Sequence, residues 1–293
     1  MMYRRLLLVA LILGVAGWGS RCFSQDVSSS SVILGRPGDY SFQSGVSYVP
    51  ESVFAGHGKS ALFELDGDWP FGLINDVGNC DIDMGLLFQD VIFLDNAGLG
   101  LPSQVGKLAF DAGFTFRPDG ANAYQLRLQP GFYTDFESFD TDGLFVPFSG
   151  SIIHSFTPDF TGIIGVQIRP NFETVVMPVA GVAWQVGKSF RIDAGIPRSR
   201  IEWTIVPDIK TYIALDWRNT SYYLDESQNH GDLFTVEDFR AYWGMQFRVA
   251  STLQLCAEVG EDFNRSVEFD ENPRAVVDIE DSFFVRVAVG IPY

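Results

Sequence analysis

From Tyr40 to Tyr293 the chain breaks into segments of about 7 to 14 residues in which every second side chain is apolar. That period of two is the signature of β-strands with two unlike faces. Leu108, Phe110, Ala112, Phe114 and Phe116 make one such face, and Phe239, Ala241, Trp243, Met245, Phe247 and Val249 another. Fourteen segments can be drawn, near 40–49, 60–69, 80–89, 107–117, 123–136, 143–157, 160–170, 174–187, 189–196, 200–206, 209–219, 237–250, 252–262 and 281–293, the first three the least regular. No stretch of about a dozen residues carries helical periodicity, and no repeat or Pro/Ser-rich linker divides the chain. A single all-β domain over 40–293 is expected.

The charges sort with the small residues. Lys, Arg, Asp and Glu in these segments fall almost entirely opposite the apolar face, with Glu261 at a strand end on the apolar side. A soluble layered sheet tolerates Lys and Glu at its rim, so a face this free of charge has to meet something continuously apolar. A closed barrel of about fourteen strands is wider than the eight-stranded kind, whose interior side chains just fill it. An apolar lumen of that width could not be packed, so the apolar face is expected to look outward into lipid. The opposite face, with Gly85, Gly113, Gly131, Gly165, Gly195, Gly244, Gly260 and Gly290 among charges and amides, then lines a polar lumen. Closure satisfies every backbone group within a bilayer, so the expected fold is a transmembrane antiparallel up-and-down β-barrel. Twelve strands is the alternative, with the first segments as an insert or plug.

Residues 1–24, MMYRRLLLVALILGVAGWGSRCFS, carry Arg4 and Arg5, an apolar run and small residues near the end. They read as a signal peptide cut between Ser24 and Gln25, too short and wrongly flanked to span a membrane as a helix. Lipidation at Cys22 is disfavoured by the bulky, charged Arg21 before it. Residues 25–39 are then a periplasmic N-terminal segment. Losing Arg4, Arg5 and Arg21 takes the formal charge from −17 to −20. So acidic a surface repels phosphates, and no nucleic-acid partner is expected. Cys80 and Cys256 remain; their spacing offers no metal motif and leaves their pairing open. No cofactor is expected.

Short links at 118–122, 157–159, 187–189, 207–208 and 250–251 alternate with links that include two long ones, 220–236 and 263–280. Membrane barrels put short turns on the periplasmic side and longer loops outside. That alternation leaves both ends in the periplasm and places the barrel in the bacterial outer membrane, with lipid as its surroundings.

The whole mature chain resembles bacterial outer-membrane β-barrels. Its C-terminal portion, through GKSFRIDAGIPRSRIEW, AYWGMQFRVASTLQLCAEVG and the closing SFFVRVAVGIPY, resembles a family of outer-membrane barrels of unknown function. A family without an established activity supplies no catalytic residues. In such barrels generally, a last strand ending in an aromatic resembles the signal read by the barrel-assembly machinery. The resemblance implies that role for Phe283, Val285, Val287, Val289, Ile291 and Tyr293, with Pro292 an unusual penultimate residue.

By parity the lumen receives the acids Glu64, Asp66, Asp68, Asp81, Asp83, Asp111, Asp135, Asp193, Glu202, Asp216, Asp238, Glu258 and Asp262. It receives the bases Lys107, Arg117, Arg127, Arg169, Arg191, Arg200, Lys210, Arg218, Arg240, Arg248 and Arg286. This is nearly a balance, so most of the net charge belongs to loops, turns and tails. Two readings stay open. The charges pair across the wall and nearly close the pore, leaving a structural or surface-interaction barrel. Alternatively, Glu64, Asp66, Asp68, Asp81 and Asp83 face an arginine-bearing wall and create a transverse field that sorts solutes. A porin-like passive channel for small polar solutes is the function expected first.

Segment 261–281, EDFNRSVEFDENPRAVVDIED, carries eight acids against Arg265 and Arg274 and is expected as an acidic extracellular loop. Such carboxylates could cage calcium or bridge divalent cations to lipid headgroups. EF-hand spacing and its glycine are missing, so solvated acidity is the plainer reading. A barrel hydrolase needs a histidine beside a nucleophile or acid. His154 falls on the apolar face while Ser155 points the other way, and His57 and His230 sit in turn-like Gly-His-Gly and Asn-His-Gly. No catalytic site is expected. Among Trp69, Trp184, Trp203, Trp217, Trp243, Tyr48, Tyr124 and Tyr293, several fall near segment ends, as in an interfacial girdle.

Overall fold

The computed structural model describes residues 41–54, 58–74, 77–94, 101–137, 140–224, 233–270 and 275–292. The expected signal peptide, the segment 25–39, His57, His230, Arg274 and Tyr293 lie outside them.

The described chain is all-β apart from one short 3-10 turn, Thr141–Gly143. Its strands are β1 Ser41–Phe54, β2 Gly58–Ile74, β3 Cys80–Leu94, β4 Gln104–Phe116, β5 Asn122–Leu128, β6 Gly131–Thr134, β7 Leu144–Phe145, β8 Phe148–Thr157 and β9 Phe160–Ile168. They continue as β10 Val176–Val186, β11 Phe190–Ile196, β12 Arg198–Val206, β13 Ile209–Tyr223, β14 Leu233–Ala250, β15 Leu253–Phe269, β16 Ala275–Ile279 and β17 Ser282–Pro292. Three breaks are local: β5/β6, β7/β8 and β16/β17 each form one stave, so the strands make a closed, antiparallel, fourteen-stave barrel. β1 closes it by pairing with β2 on one side and β17 on the other, Gly45 lying opposite both Asp66 and Ala288. Two breaks fall at Pro130 and Pro147, which lack an N–H for the ladder. Their carbonyls still serve it: Phe110 N–H donates to Pro130 O at 2.9 Å and Gln129 N–H to Pro147 O at 2.8 Å.

The outer face is apolar and exposed, as at Leu126 (60%), Ile164 (65%), Trp203 (53%) and Val287 (55%). Inner positions between them are small or charged. Aromatic rows mark both edges of this band. Phe42, Trp69 and Phe88 stack in one row, and Phe116 stacks on Tyr124, towards the short turns. Trp217, Phe239 and Phe263 stack towards the long loops, with centroids 6.1 and 5.8 Å apart. Such rows fit a barrel's two membrane interfaces.

Above the Trp217 row the structure departs from the sequence expectation. The described parts of the links 220–236 and 263–280 are largely strand: β13 runs to Tyr223, β14 starts at Leu233, β15 reaches Phe269 and β16 occupies Ala275–Ile279. The reason is an inversion of the pattern. Here the inner side chains are apolar (Tyr222, Phe234, Val267, Phe269, Val277, Ile279) and outer positions such as Glu237, Ser266, Glu268 and Asp278 are polar. A bulge in β15 at Asn264, held at φ 49°, also shifts the alternation by one residue, so Asp262 and Arg265 both face inward.

The upper barrel also narrows. Staves β9 to β12 are short, and β6 meets β13 through a parallel bridge, Thr134 opposite Tyr223. Among the described residues, the half towards the long loops is therefore ringed by β1, β2, β3, β4, β6, β13, β14, β15 and β16. This corrects the expectation that no apolar lumen could be packed: a narrower ring can be filled, and this one is.

Candidate functional site

Two layers fill the inside of the barrel. The upper one is apolar. Phe54, Val105, Phe234 and Val267 are fully buried, with Tyr222 and Phe145 nearly so. Phe93 of β3 meets Phe234 of β14 edge-on, with centroids 6.0 Å apart. These staves are not ladder neighbours, so this contact crosses the lumen. Tyr133, Phe145 and Phe172 form a second aromatic cluster, each pair of centroids 5.3 to 5.4 Å apart.

The lower layer is ionic. Arg218 and Arg240 project from β13 and β14. Arg218 donates to both oxygens of Asp238 (2.6 and 2.5 Å) and Arg240 to both oxygens of Asp262 (2.6 and 2.7 Å). Both also reach across to Glu64 on β2, at 3.2 and 3.0 Å. Arg286 of β17 holds Asp66 of β2 at 2.6 Å and Glu258 of β15 at 3.0 Å. It passes over Gly45, where a methyl group would overlap its guanidinium. Arg127 joins Asp83 (2.7 Å) and Asp111, and Arg117 joins Asp81. On the short staves Arg191 pairs with Asp193 at 2.8 Å, while Glu202 takes Arg200 at 2.6 Å and Lys210 at 3.1 Å. Arg248 lies 4.0 Å from exposed Asp208 at the short-turn mouth.

The acids of β2 and β3 and the arginines therefore touch instead of facing each other over water. Asp68 is exposed and joins no ion pair among the described residues. Asp135, outside the ionic layer, is buried and accepts the Glu137 N–H at 3.0 Å. Forks of two N–H groups on one carboxylate are the strong form of this contact. Breaking a buried pair by removing one member costs about 3–5 kcal/mol.

Parity pointed inward at these charges but missed others. Arg198, which pairs with Asp216 at 2.8 Å and with the Tyr242 hydroxyl, lay in a presumed link. Arg265 lay in a presumed loop; it is buried and donates to Ser52 Oγ at 2.9 Å. Tyr212 is polar only at its tip, where its hydroxyl donates to Glu258 at 2.5 Å while Arg200 stacks on its ring at 3.6 Å. Arg169 follows β9 and meets neutral oxygens; burial pulls its pKa down to about 10, which leaves it charged at neutral pH.

Two cavities accompany the layers. One of about 340 Å³ opens at the short turns, lined by Thr115, Gln125, Ser155, Thr161, Gln185, Arg117 and Arg191. Another of about 280 Å³ lies between the ionic and apolar layers. Cys80 and Cys256 are both free thiols. His154 sits on the outer face, its Nδ1 2.8 Å from Asn122 Oδ1 and its ring against Phe156. The acids of 261–281 are dispersed, Asp262 being bound inside the wall and Glu261 exposed outside it. Among the described residues no group of three or more metal-ligating side chains converges.

The sequence matches the family described as "Domain of unknown function (DUF6268)" over residues 123–277. No curated protein matches it. Among solved structures, an outer-membrane channel from Pseudomonas putida F1 is similar at 10% identity, covering 92% of this chain and 100% of its own, with a TM-score of 0.45. The KdgM porin is similar at 9% identity, covering 87% and 99%, with a TM-score of 0.38. The toluene transporter TodX of P. putida is similar at 8% identity, covering 86% and 90%, with a TM-score of 0.41.

Proposed function

The chain belongs to the family described as Domain of unknown function (DUF6268), and we propose that this member is a porin-like barrel of the bacterial outer membrane whose axial path is closed at its outer end. One observation carries this reading: the Phe93–Phe234 contact across the lumen, inside a layer of fully buried apolar side chains. Ions and small polar solutes enter the polar cavity at the short turns and stop beneath that layer. Passive passage of solutes occurs only when the aromatic rings part. The outer membrane is favoured because the apolar outer band and its two aromatic rows suit a bilayer, and membrane fractionation tests that location.

Single-channel recording in a planar bilayer tests the closed state. The wild-type barrel is expected to show no steady porin-like conductance. The double variant Phe93→Ala/Phe234→Ala, which opens a gap in the apolar layer, is expected to show frequent openings. A steady large conductance from folded wild-type protein overturns the closed reading and restores the open passive channel.

A further inference from the structure

The cavity of about 280 Å³ between the two layers is lined by Lys107, Arg169, Arg218 and Arg265, but by only two carboxylates, Glu64 and Asp238. Arg218 and Arg240 already engage both acids. The other three cations form no direct ion pair with a carboxylate among the described residues. Arg169, 4% exposed, donates to Thr174 O at 3.0 Å, Asn219 O at 2.6 Å and Asn219 Oδ1 at 3.1 Å. Arg265, 5% exposed, donates to Ser52 Oγ at 2.9 Å and Glu280 O at 3.2 Å. The Lys107 ammonium makes no hydrogen bond or ion pair there, and Lys107 stands opposite Tyr133 in the β4–β6 ladder.

Carboxylates act on these three cations only from beyond ion-pair distance, Asp66, Asp68 and Asp111 on Lys107, Glu237 on Arg169, and Asp262, Asp238 and Glu64 on Arg265, so their charge is only partly compensated. A chamber with such an excess is built to receive an anion. Phe172, Met177, Tyr222 and Val236 line the remainder, so the anion's body has to be apolar. β12 pairs with β13 only as far as Arg198 opposite Asp216. From there to the Tyr223–Thr134 bridge the 169–174 turn covers that edge of β13, Arg169 donating to Asn219 and the Glu173 N–H to Ser221 Oγ at 3.1 Å. Pro197 and Trp217, at the foot of this covered edge, also line the chamber.

We propose that this chamber binds an amphipathic monocarboxylate, its carboxylate at Lys107 and Arg169 and its apolar body against Phe172, Met177 and Tyr222. The inference stands on the chamber's lining and does not depend on the closed-axis reading.

Isothermal titration of the purified, folded barrel with hexanoate, acetate and 1-hexanol tests it. Hexanoate is expected to saturate one site, with acetate and hexanol at least about ten-fold weaker, because each lacks one half of the recognition. Lys107→Gln removes an ammonium that makes no hydrogen bond or direct ion pair with the protein, and is expected to weaken hexanoate by about ten-fold or more. Lys107→Arg is expected to keep most of the binding. Failure of hexanoate to saturate, hexanol binding equally well, or an unchanged Lys107→Gln each overturns the proposal. If Lys107→Gln does not fold, the three-ligand comparison on wild type decides alone. Conductance recorded on the same preparation separates the two readings. An open pore that binds hexanoate overturns the closed axis only, and a closed barrel that ignores hexanoate overturns the chamber only.

Discussion

Arg240 shows what one residue contributes to this barrel. It forks onto Asp262, which is 0% exposed, reaches Glu64 across the lumen and lies 4.0 Å over the Phe284 ring. Arg240→Met leaves the Asp262 charge buried beside only a marginal 3.4 Å contact from Arg218. The expected loss is about 3–5 kcal/mol, read as a lower temperature for the heat-modifiable gel shift. Adding Asp262→Leu should recover most of it, because replacing a buried pair by apolar groups is often neutral. Equal losses in the single and double variants would show that the pair itself is not what matters. That Arg240 faces inward is legible from its place between Phe239 and Ala241. Its partner is not, since Glu64 lies 176 residues away and no local rule selects it.

At the scale of elements, the turn between β4 and β5 is the clearest case of structure written into sequence. Pro118-Asp119-Gly120 announces a turn, and Asp119 Oδ1 accepts the N–H groups of Ala121 at 2.8 Å and Asn122 at 2.6 Å. The Asn122 side-chain amide, and then these N–H groups, hold the Asp119 carboxyl below its usual range. A carboxyl depressed on folding contributes fully above its unfolded value, and that contribution fades as pH falls through the depressed one. Protection of the Ala121 and Asn122 amides from hydrogen exchange should therefore weaken on that acid side in wild type, and be low at every pH in Asp119→Ala. A variant as protected as wild type would remove Asp119 from the account. The extensions above the Trp217 row were hidden for the opposite reason. Apolar-out alternation ends there, Asn264 slips the phase, and acids at Glu237, Glu268 and Asp278 resemble loop.

For the whole molecule, closure depends on β17, which pairs with β1 from Ser41 opposite Pro292 to Tyr48 opposite Val285. Phe283, Val285 and Val287 stand half-exposed on the outer face, while Arg286 turns inward to Asp66 and Glu258. We expect the assembly machinery to read this strand through its terminal aromatic. Deleting Tyr293 should lower the heat-modifiable, membrane-inserted fraction, and normal insertion of the truncated chain would refute that role. The number of staves and the sense of their faces were legible because lipid imposes one rule on every strand. The narrowing at Thr134 and Tyr223 was not, because it joins strands that no alternation connects.

The inversion of polarity in the wall acts as a waterline. Below it the barrel is greasy outside and charged within; above it, the reverse. A uniform cylinder could bob in its membrane at little cost. This one cannot: sinking by one residue pair draws Glu237 and Ser266 toward hydrocarbon, and rising lifts Phe239 and Leu215 into water. The depth of the molecule is thereby set by the wall itself.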